Sequence, residues 1–238
     1  MSFYRYSPIC NDYYIGDTKL NSVESFIDLG VNFDKKLNFN SHITMTVNKA
    51  YGVLSFIKRW SKEFTDPYMM KRLFTTLVRP ILEYGSVIWD SQYNVYIRKL
   101  ESVQKQFLLF CLRNLRWNRD SNLPPYRSRL AFIKLPTLKS RRIVANIAFF
   151  LNIVNGNIDS EYLISKVFIN VRNRQLRSYV PLYIDFHRSN FADFDPFRRI
   201  CIEVNKYYDL IDYADAGTEI KNLLISYFNS NNFVYDSI

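Results

Sequence analysis

The sequence predicts a mainly α protein with a small N-terminal β-hairpin remnant, laid out as a helical bundle followed by a second helical domain. Three observations carry that expectation. Apolar residues recur at helical spacing through most of the chain beyond Asn40. Glycine, which weakens helix interiors, occurs only 6 times in 238 residues. Short aromatic and branched runs, the composition of strands, are concentrated between Met1 and Asn32.

In chain order, Phe3 to Tyr6, Tyr13 to Ile15, Thr18 to Leu20 and Ser25 to Val31 read as strands, and Gly16-Asp17 suits a type II′ hairpin turn. Asn40 or Ser41 is expected to cap the next helix. Ile43, Val47, Ala50, Leu54 and Ile57 form its apolar stripe, and Lys58, Arg59 and Lys62 sit at its end, where cations complement the helix dipole. Thr65 with Pro67 marks the start of a second helix. Its apolar face is Met70, Leu73, Phe74, Leu77, Val78 and Ile81, opposite Arg72, Thr76, Arg79 and Glu83. Pro80 removes a backbone donor, so a kink is expected near Thr76 to Arg79, and Glu83-Tyr84-Gly85-Ser86 stops the helix.

A third helix spans about Asn94 to Arg113, with Tyr96, Leu100, Val103, Phe107 and Phe110 inward. The polar, proline-ended stretch Trp117 to Pro125 is the best candidate boundary. A short helix then runs from Pro125 to about Ile133, and Leu135-Pro136-Thr137 punctuates before Leu138 to Val154. That helix is apolar all round from Ile143, the mark of a central core element, and Asn155-Gly156 suits its C-cap. Asp159 or Ser160 caps another short helix, Val167 to Asp185 is extended and irregular, and helices of about Phe197 to Leu210 and Ala216 to Phe228 close the chain.

Composition narrows the function. Cys10, Cys111 and Cys201 are odd in number and far apart, which favours reduced thiols in an intracellular setting (nucleus and cytoplasm are not distinguished) over a disulfide framework or a zinc knuckle. No apolar run approaches a membrane span and no signal-peptide h-region is visible, so no membrane partner is expected. The net charge is +10. Between Arg98 and Arg142 lie 12 Lys or Arg residues against Glu101 and Asp120 alone, so this one stretch carries the whole excess. Such clustering points to a polyanionic partner.

Longer segments are more specific. LVRPILEYGSVIW, with LGVNFDKKLNFNSHI upstream and LESVQKQFLLFCLR downstream, resembles reverse transcriptases of non-LTR (LINE-type, jockey-like) retrotransposons. The similarity continues through LPPYRSRLAFIKLPTLKSRR, RSYVPLYIDFHRSNF and PFRRICIEVNK, in collinear order over most of the chain. It corresponds to the thumb and C-terminal region downstream of the catalytic palm. The resemblance implies residues 1–34 as a remnant of the palm-to-thumb junction, 35–117 as a helical thumb-like bundle and 118–238 as a C-terminal helical domain. Met1 falls where the family has an internal methionine, so the chain reads as a fragment of a longer polypeptide.

The activity implied for the parent is RNA-directed DNA synthesis, with Mg²⁺ as the cofactor of the full-length enzyme. A palm seats its metals on paired carboxylates, and no such pair is present here, so the chain alone is expected to be inactive and to need no cofactor. Tyr213-Ala214-Asp215-Ala216 looks like the palm motif without its last aspartate, but Asp215 is more simply an N-cap between two helices. His42 reads as a capping or surface residue, His187 as part of a hydrogen-bonding corner, and Asp28 and Asp34 as surface carboxylates.

The expected function is sequence-independent binding of an RNA or RNA–DNA template–primer duplex. Arg72, Thr76, Arg79, Arg98, Lys105, Arg113 and Arg116 are the candidate contacts, since phosphates are met by Arg, Lys and hydroxyls. Two local alternatives stay open: Arg79 pairs with Glu83 at i+4, and Trp60, Trp89 and Trp117 pack in a core rather than stack on bases. At the level of the whole chain, the alternatives are a helical protein-interaction module or a translated transposon relic. Phe3, Tyr4, Tyr6, Tyr13 and Tyr14 would otherwise face a palm, so that palm or a second copy of the chain is the other expected partner.

Overall fold

A computed structural model describes residues 12–64, 66–91, 93–115, 123–170, 180–186, 195–211 and 218–230. The protein is mainly α with two small hairpins at its N-terminal end. Strands β1 (Tyr14–Ile15) and β2 (Thr18–Lys19) pair antiparallel about Gly16-Asp17, where Gly16 has φ 56°. The segment Ser25 to Val31, expected as one strand, is instead a second hairpin. Strand β3 (Ser25–Asp28) pairs with β4 (Val31–Asp34), and Leu29 (φ 46°) and Gly30 (φ 82°) make the turn. Both residues of that turn are left-handed, as the twist of a two-residue hairpin favours.

Helix α1 (Asn40–Trp60) is not capped by Asn40 or Ser41; its N-cap is the left-handed Phe39, without a side-chain bond. The capping work is done from a distance. The Asp34 carboxylate accepts the backbone N–H groups of Lys36 (2.8 Å), Asn38 (3.4 Å) and Phe39 (3.1 Å) and so folds the loop that leads into the helix. Asp34 is thus a loop organiser rather than a surface charge. The expected stripe of α1 is wholly buried.

The second helical region is a broken rod: α2 (Pro67–Leu73), a π-helical turn (Phe74–Val78) and α3 (Arg79–Glu83). Asp66, not Thr65, is the cap, accepting the Tyr68 N–H at 2.9 Å, while Thr65 lies outside the described residues. The break falls where Pro80 predicts it. Pro80 has no N–H for the Thr76 carbonyl, and the chain widens so that the Arg79 N–H reaches Phe74 five residues back. The wider turn changes which residues face inward. Met70, Phe74, Val78 and Leu82 are fully buried at a constant spacing of four, whereas Leu77, expected inside, is 44% exposed. A straight helix of 3.6 residues per turn would have walked that row round to solvent.

Tyr84-Gly85 then turns a corner into the short α4 (Ser86–Trp89). Gly85 sits at φ 63°, and a Cβ there would meet Val31 at 3.3 Å and the Trp89 indole at 3.6 Å, so both conformation and space demand glycine. Trp89 is fully buried and its indole N–H donates to the Tyr84 carbonyl at 2.7 Å, which settles it as a core residue. Helix α5 (Asn94–Asn114) packs along α1 and stacks Phe107 on Phe74, ring centroids 4.4 Å apart.

Helix α6 (Tyr126–Ile133) follows, then α7 (Leu138–Val154), capped by the Thr137 hydroxyl and closed by Asn155 and Gly156 at φ 72°. The short α8 (Glu161–Ile164) is capped by Ser160, and Ile169 bridges to Leu182. Helix α9 (Pro196–Lys206), capped by Asp195, a 3-10 turn (Tyr208–Leu210) and α10 (Thr218–Ser230) complete the described chain.

Two hydrophobic cores result. The first runs from Val31 to Leu138, and so includes Leu130, Ile133, Leu135 and Leu138 from beyond residue 117. The second runs from Ile143 to Phe228. Helix α7 joins them, its first turn in one and its apolar remainder in the other, as its all-round hydrophobicity requires. No described helix is long and apolar enough to cross a membrane.

A candidate nucleic-acid interface

Six of the seven predicted contact residues lie among the described residues, and their surroundings differ. Arg72 is exposed and open. Thr76 is exposed, but its hydroxyl donates back to the Arg72 carbonyl at 2.8 Å. Arg79 is half-buried and faces Glu83 at 3.9 Å, so the i+4 pair is formed. Its stronger competitor is Arg141, whose Nη2 donates to Glu83 at 2.9 Å while Nε donates to the other carboxylate oxygen. Arg98 is exposed. Lys105 lies over the Tyr126 ring at 5.0 Å, opposite no carboxylate but committed to that face. Arg113 is exposed at the far end of α5, where its charge, after burial, helps hold the Lys58 amine below its usual range. Arg116 lies outside the described residues, as do Cys10, Trp117, His187, Asp215 and the arginines at 172, 174 and 177.

What the fold does gather is a different cationic group. Lys71 donates from Nζ to the Lys134 carbonyl at 2.6 Å, which brings the end of α6 onto α2. Burial lowers the Lys71 pKa, and the charges of Lys134 and then Arg79 lower it further. Burial likewise loosens the proton on Arg79, with Arg141 adding to the effect and Glu83 opposing it. Lys71 is thus set against Lys134 and Arg79, and Arg79 against Arg141, with Glu83 held between the two arginines. Sequence reading missed Lys71, Lys134 and Arg141 as members of this group, because Arg141 and Glu83 are 58 residues apart. The available signal was the run Lys139-Ser140-Arg141-Arg142 at a helix start, where cations oppose the dipole and need another reason to be there.

Not every cation of the basic stretch reaches the surface. Arg142 is fully buried and donates to the Asp90 carboxylate at 2.7 Å, while its Nη1 and Nη2 have no hydrogen-bond partner among the described residues. Arg199 on α9 donates to the carbonyls of Asp90 and Val87, each at 2.6 Å, and ties α4 to the second core. Nearby Glu203 is pushed up to about 7, first by loss of water and then by the Asp90 charge, against the pull of the Asn146 amide 2.8 Å away and the two arginines. Glu101, the acid counted against the basic stretch, is fully buried, where it accepts the Tyr126 hydroxyl at 2.6 Å and the Lys139 N–H at 2.8 Å.

His42 is neither cap nor surface residue. It is buried against Trp89, its Nδ1 accepts the Asn32 N–H at 3.2 Å, and burial lowers its pKa. A ring that accepts at Nδ1 carries its proton on Nε2, 3.4 Å from the Thr46 hydroxyl. Cys111 and Cys201 are free and buried, and burial pushes their thiols up to about 12 and about 11, which removes them as nucleophiles at neutral pH. Among the described residues no three His, Cys, Asp or Glu side chains converge as metal ligands.

An uncharacterised protein of Caenorhabditis elegans, B0403.1, is 27% identical to the chain over 138 residues. The match spans 58% of this chain and 64% of the length of that relative. No protein-family profile matches the chain, and no solved structure does.

Proposed function

We propose that the chain holds a nucleic-acid duplex by its phosphate backbone, without reading base sequence, in the manner of a reverse transcriptase thumb. The observation that carries this is the cluster Lys71, Arg79, Lys134 and Arg141. Lys71 donates to the Lys134 carbonyl, and Arg79 and Arg141 share the Glu83 carboxylate, so the four cations stand in two neighbouring groups with one carboxylate bound between the arginines. A row of phosphates threaded past them relieves the repulsion between these cations and releases counterions, which is the thermodynamic source of sequence-independent binding. Exposed Arg72, Arg98 and Arg113 extend the positive surface. The LINE-type resemblance makes the natural duplex an RNA or RNA–DNA template–primer, and the role one of holding rather than synthesis. A helical interaction module is the competing reading, and the exposed Ile15, Ile27 and Leu29 of the hairpins favour it.

Filter binding of a blunt hybrid duplex across a salt series separates the two. Neutralising four to six phosphates gives a log–log slope of roughly −3 to −5. Replacing Lys71 and Arg72 together by Gln lowers the slope by about one to two units, with equal losses for every sequence tested. A flat salt dependence leaves the interaction module.

A further inference from the structure

Helix α1 has a second stripe that the fold leaves uncovered. With 100° per residue, Met45, Lys49, Gly52, Phe56 and Trp60 fall within an arc of about 80°, on the side away from the buried stripe. Met45 is 48%, Phe56 50% and Trp60 75% exposed. The Phe56 and Trp60 rings are neighbours, centroids 6.0 Å apart and planes tilted by 46°, and so form an angled aromatic shelf. Large aromatics are the costliest side chains to leave in water, and two of them here share a face with an exposed lysine.

Two independent features say what lies on this shelf. The first is charge. The 21 residues of α1 contain no carboxylate, and its last turn carries Lys58 and Arg59. Exposed Lys62 follows, and the α5 terminus adds Arg113, held close because the Asn114 amide donates to the Ser61 carbonyl at 2.9 Å. Glu63 is the carboxylate nearest in sequence. The second is Gly52, an exposed glycine in the middle of a long helix, where it weakens the helix relative to alanine. A Cβ there would meet nothing within 4 Å, so no packing inside the protein asks for glycine. Close approach of another molecule's backbone does.

We infer that the outer face of α1 binds single-stranded nucleic acid: unpaired bases stack on Phe56 and Trp60, their phosphates meet Lys49, Arg59 and Lys62, and the sugar-phosphate chain passes over Gly52. A duplex cannot use the shelf, since its base faces are already stacked on each other, whereas unpaired bases of any identity can. The inference rests on the proposed nucleic-acid role and adds to it a separate place for an unpaired strand next to the duplex.

The test measures binding of a fluorescent oligothymidylate of about 12 nucleotides, within the usual single-strand site sizes, beside a blunt duplex of the same length. Trp60→Ala weakens oligothymidylate binding by roughly 5- to 150-fold, the range for loss of one stacking side chain. Trp60→Phe, which keeps a flat ring, largely restores it, and duplex affinity is unchanged in both. Gly52→Gln also weakens oligothymidylate binding, yet raises the thermal midpoint by about 1–2 °C through better helix propensity. Unaltered oligothymidylate binding by Trp60→Ala overturns the inference, and so does an equal loss for duplex and single strand. Loss of binding to anionic vesicles or to an acidic peptide, with oligothymidylate affinity intact, also overturns it. If the wild-type chain binds the duplex with steep salt dependence while Trp60→Ala changes nothing, only this inference falls; if it binds neither nucleic acid, the duplex proposal falls too.

Discussion

The two cores of this protein are closed by different physics. The first is sealed by shape: stacked Phe74 and Phe107, the Gly85 corner and a neutral His42 against Trp89. The second meets the first across a charge network of buried Asp90, Arg142 and Arg199 with half-buried Glu203, only part of which is satisfied by hydrogen bonds. Shape complementarity is insensitive to pH and salt, whereas buried charge is costly and depends on its partners. The difference teaches where the molecule is most tunable: at the junction of α4, α7 and α9, more than in the helical bundle, where burial makes His42 sensitive to pH.

The largest expected effect breaks the second region. Arg142→Ala leaves the Asp90 carboxylate buried without its partner and destabilises the fold by about 3–5 kcal/mol. Replacing both residues by apolar side chains of similar volume (Asp90→Leu with Arg142→Met) recovers most of that loss. Urea unfolding of the three proteins decides it; a double variant as unstable as Arg142→Ala would mean that the ion pair stabilises in its own right.

The next effect sets the two regions against each other by pH. The Glu203 carboxyl is raised from 4.5 to about 7, so its contribution is complete below about 4.5 and is lost as pH rises through about 7. The size is about 3 kcal/mol, which Glu203→Gln abolishes. His42 works in the other direction. Its folded pKa is lowered from 6.5, so its contribution is complete above about 6.5 and is lost as pH falls through the lower, folded value. Denaturation at several pH values should show wild type losing stability as pH rises from about 4.5 through about 7, and Glu203→Gln without that loss.

Gly85→Ala sharpens the comparison from the other side. It forces a left-handed alanine and presses a methyl group on Val31, and it destabilises by about 1–3 kcal/mol. Because the cause is geometric, the loss should be the same at every pH at which the protein folds, in contrast to any change in the charge network.

Much of the first region was legible from sequence. The stripe from Ile43 to Ile57, the arrest at Gly85 and the break ahead of Pro80 are local signals, read from spacing and from the chemistry of single residues. The Asp34 loop was not, since its acceptor lies several residues before the helix it prepares. Leu77 was misplaced because periodicity assumes 3.6 residues per turn, and the π turn suspends that rule for five residues. The second region and the cationic cluster were hardest. A count of charges treats Glu101, Arg141 and Arg142 alike, although one is sealed inside, one is shared with Glu83 and one is paired with Asp90. Only tertiary neighbours separate those fates.

The π turn gives this rod slack as well as a bend. One residue more than an α-helix would use is stored between Phe74 and Val78. Removing one of those five residues would let the rod regularise with everything after it still in phase, since five residues of a π turn sweep about the angle of four in an α-helix. Glu83 would still meet Arg141, Leu82 would stay in the interior, and Tyr84, whose hydroxyl donates to the Leu29 carbonyl at 2.9 Å, would keep its hold on the hairpin. The segment therefore behaves as slack in the chain: it takes up one residue of length without turning the side chains that follow.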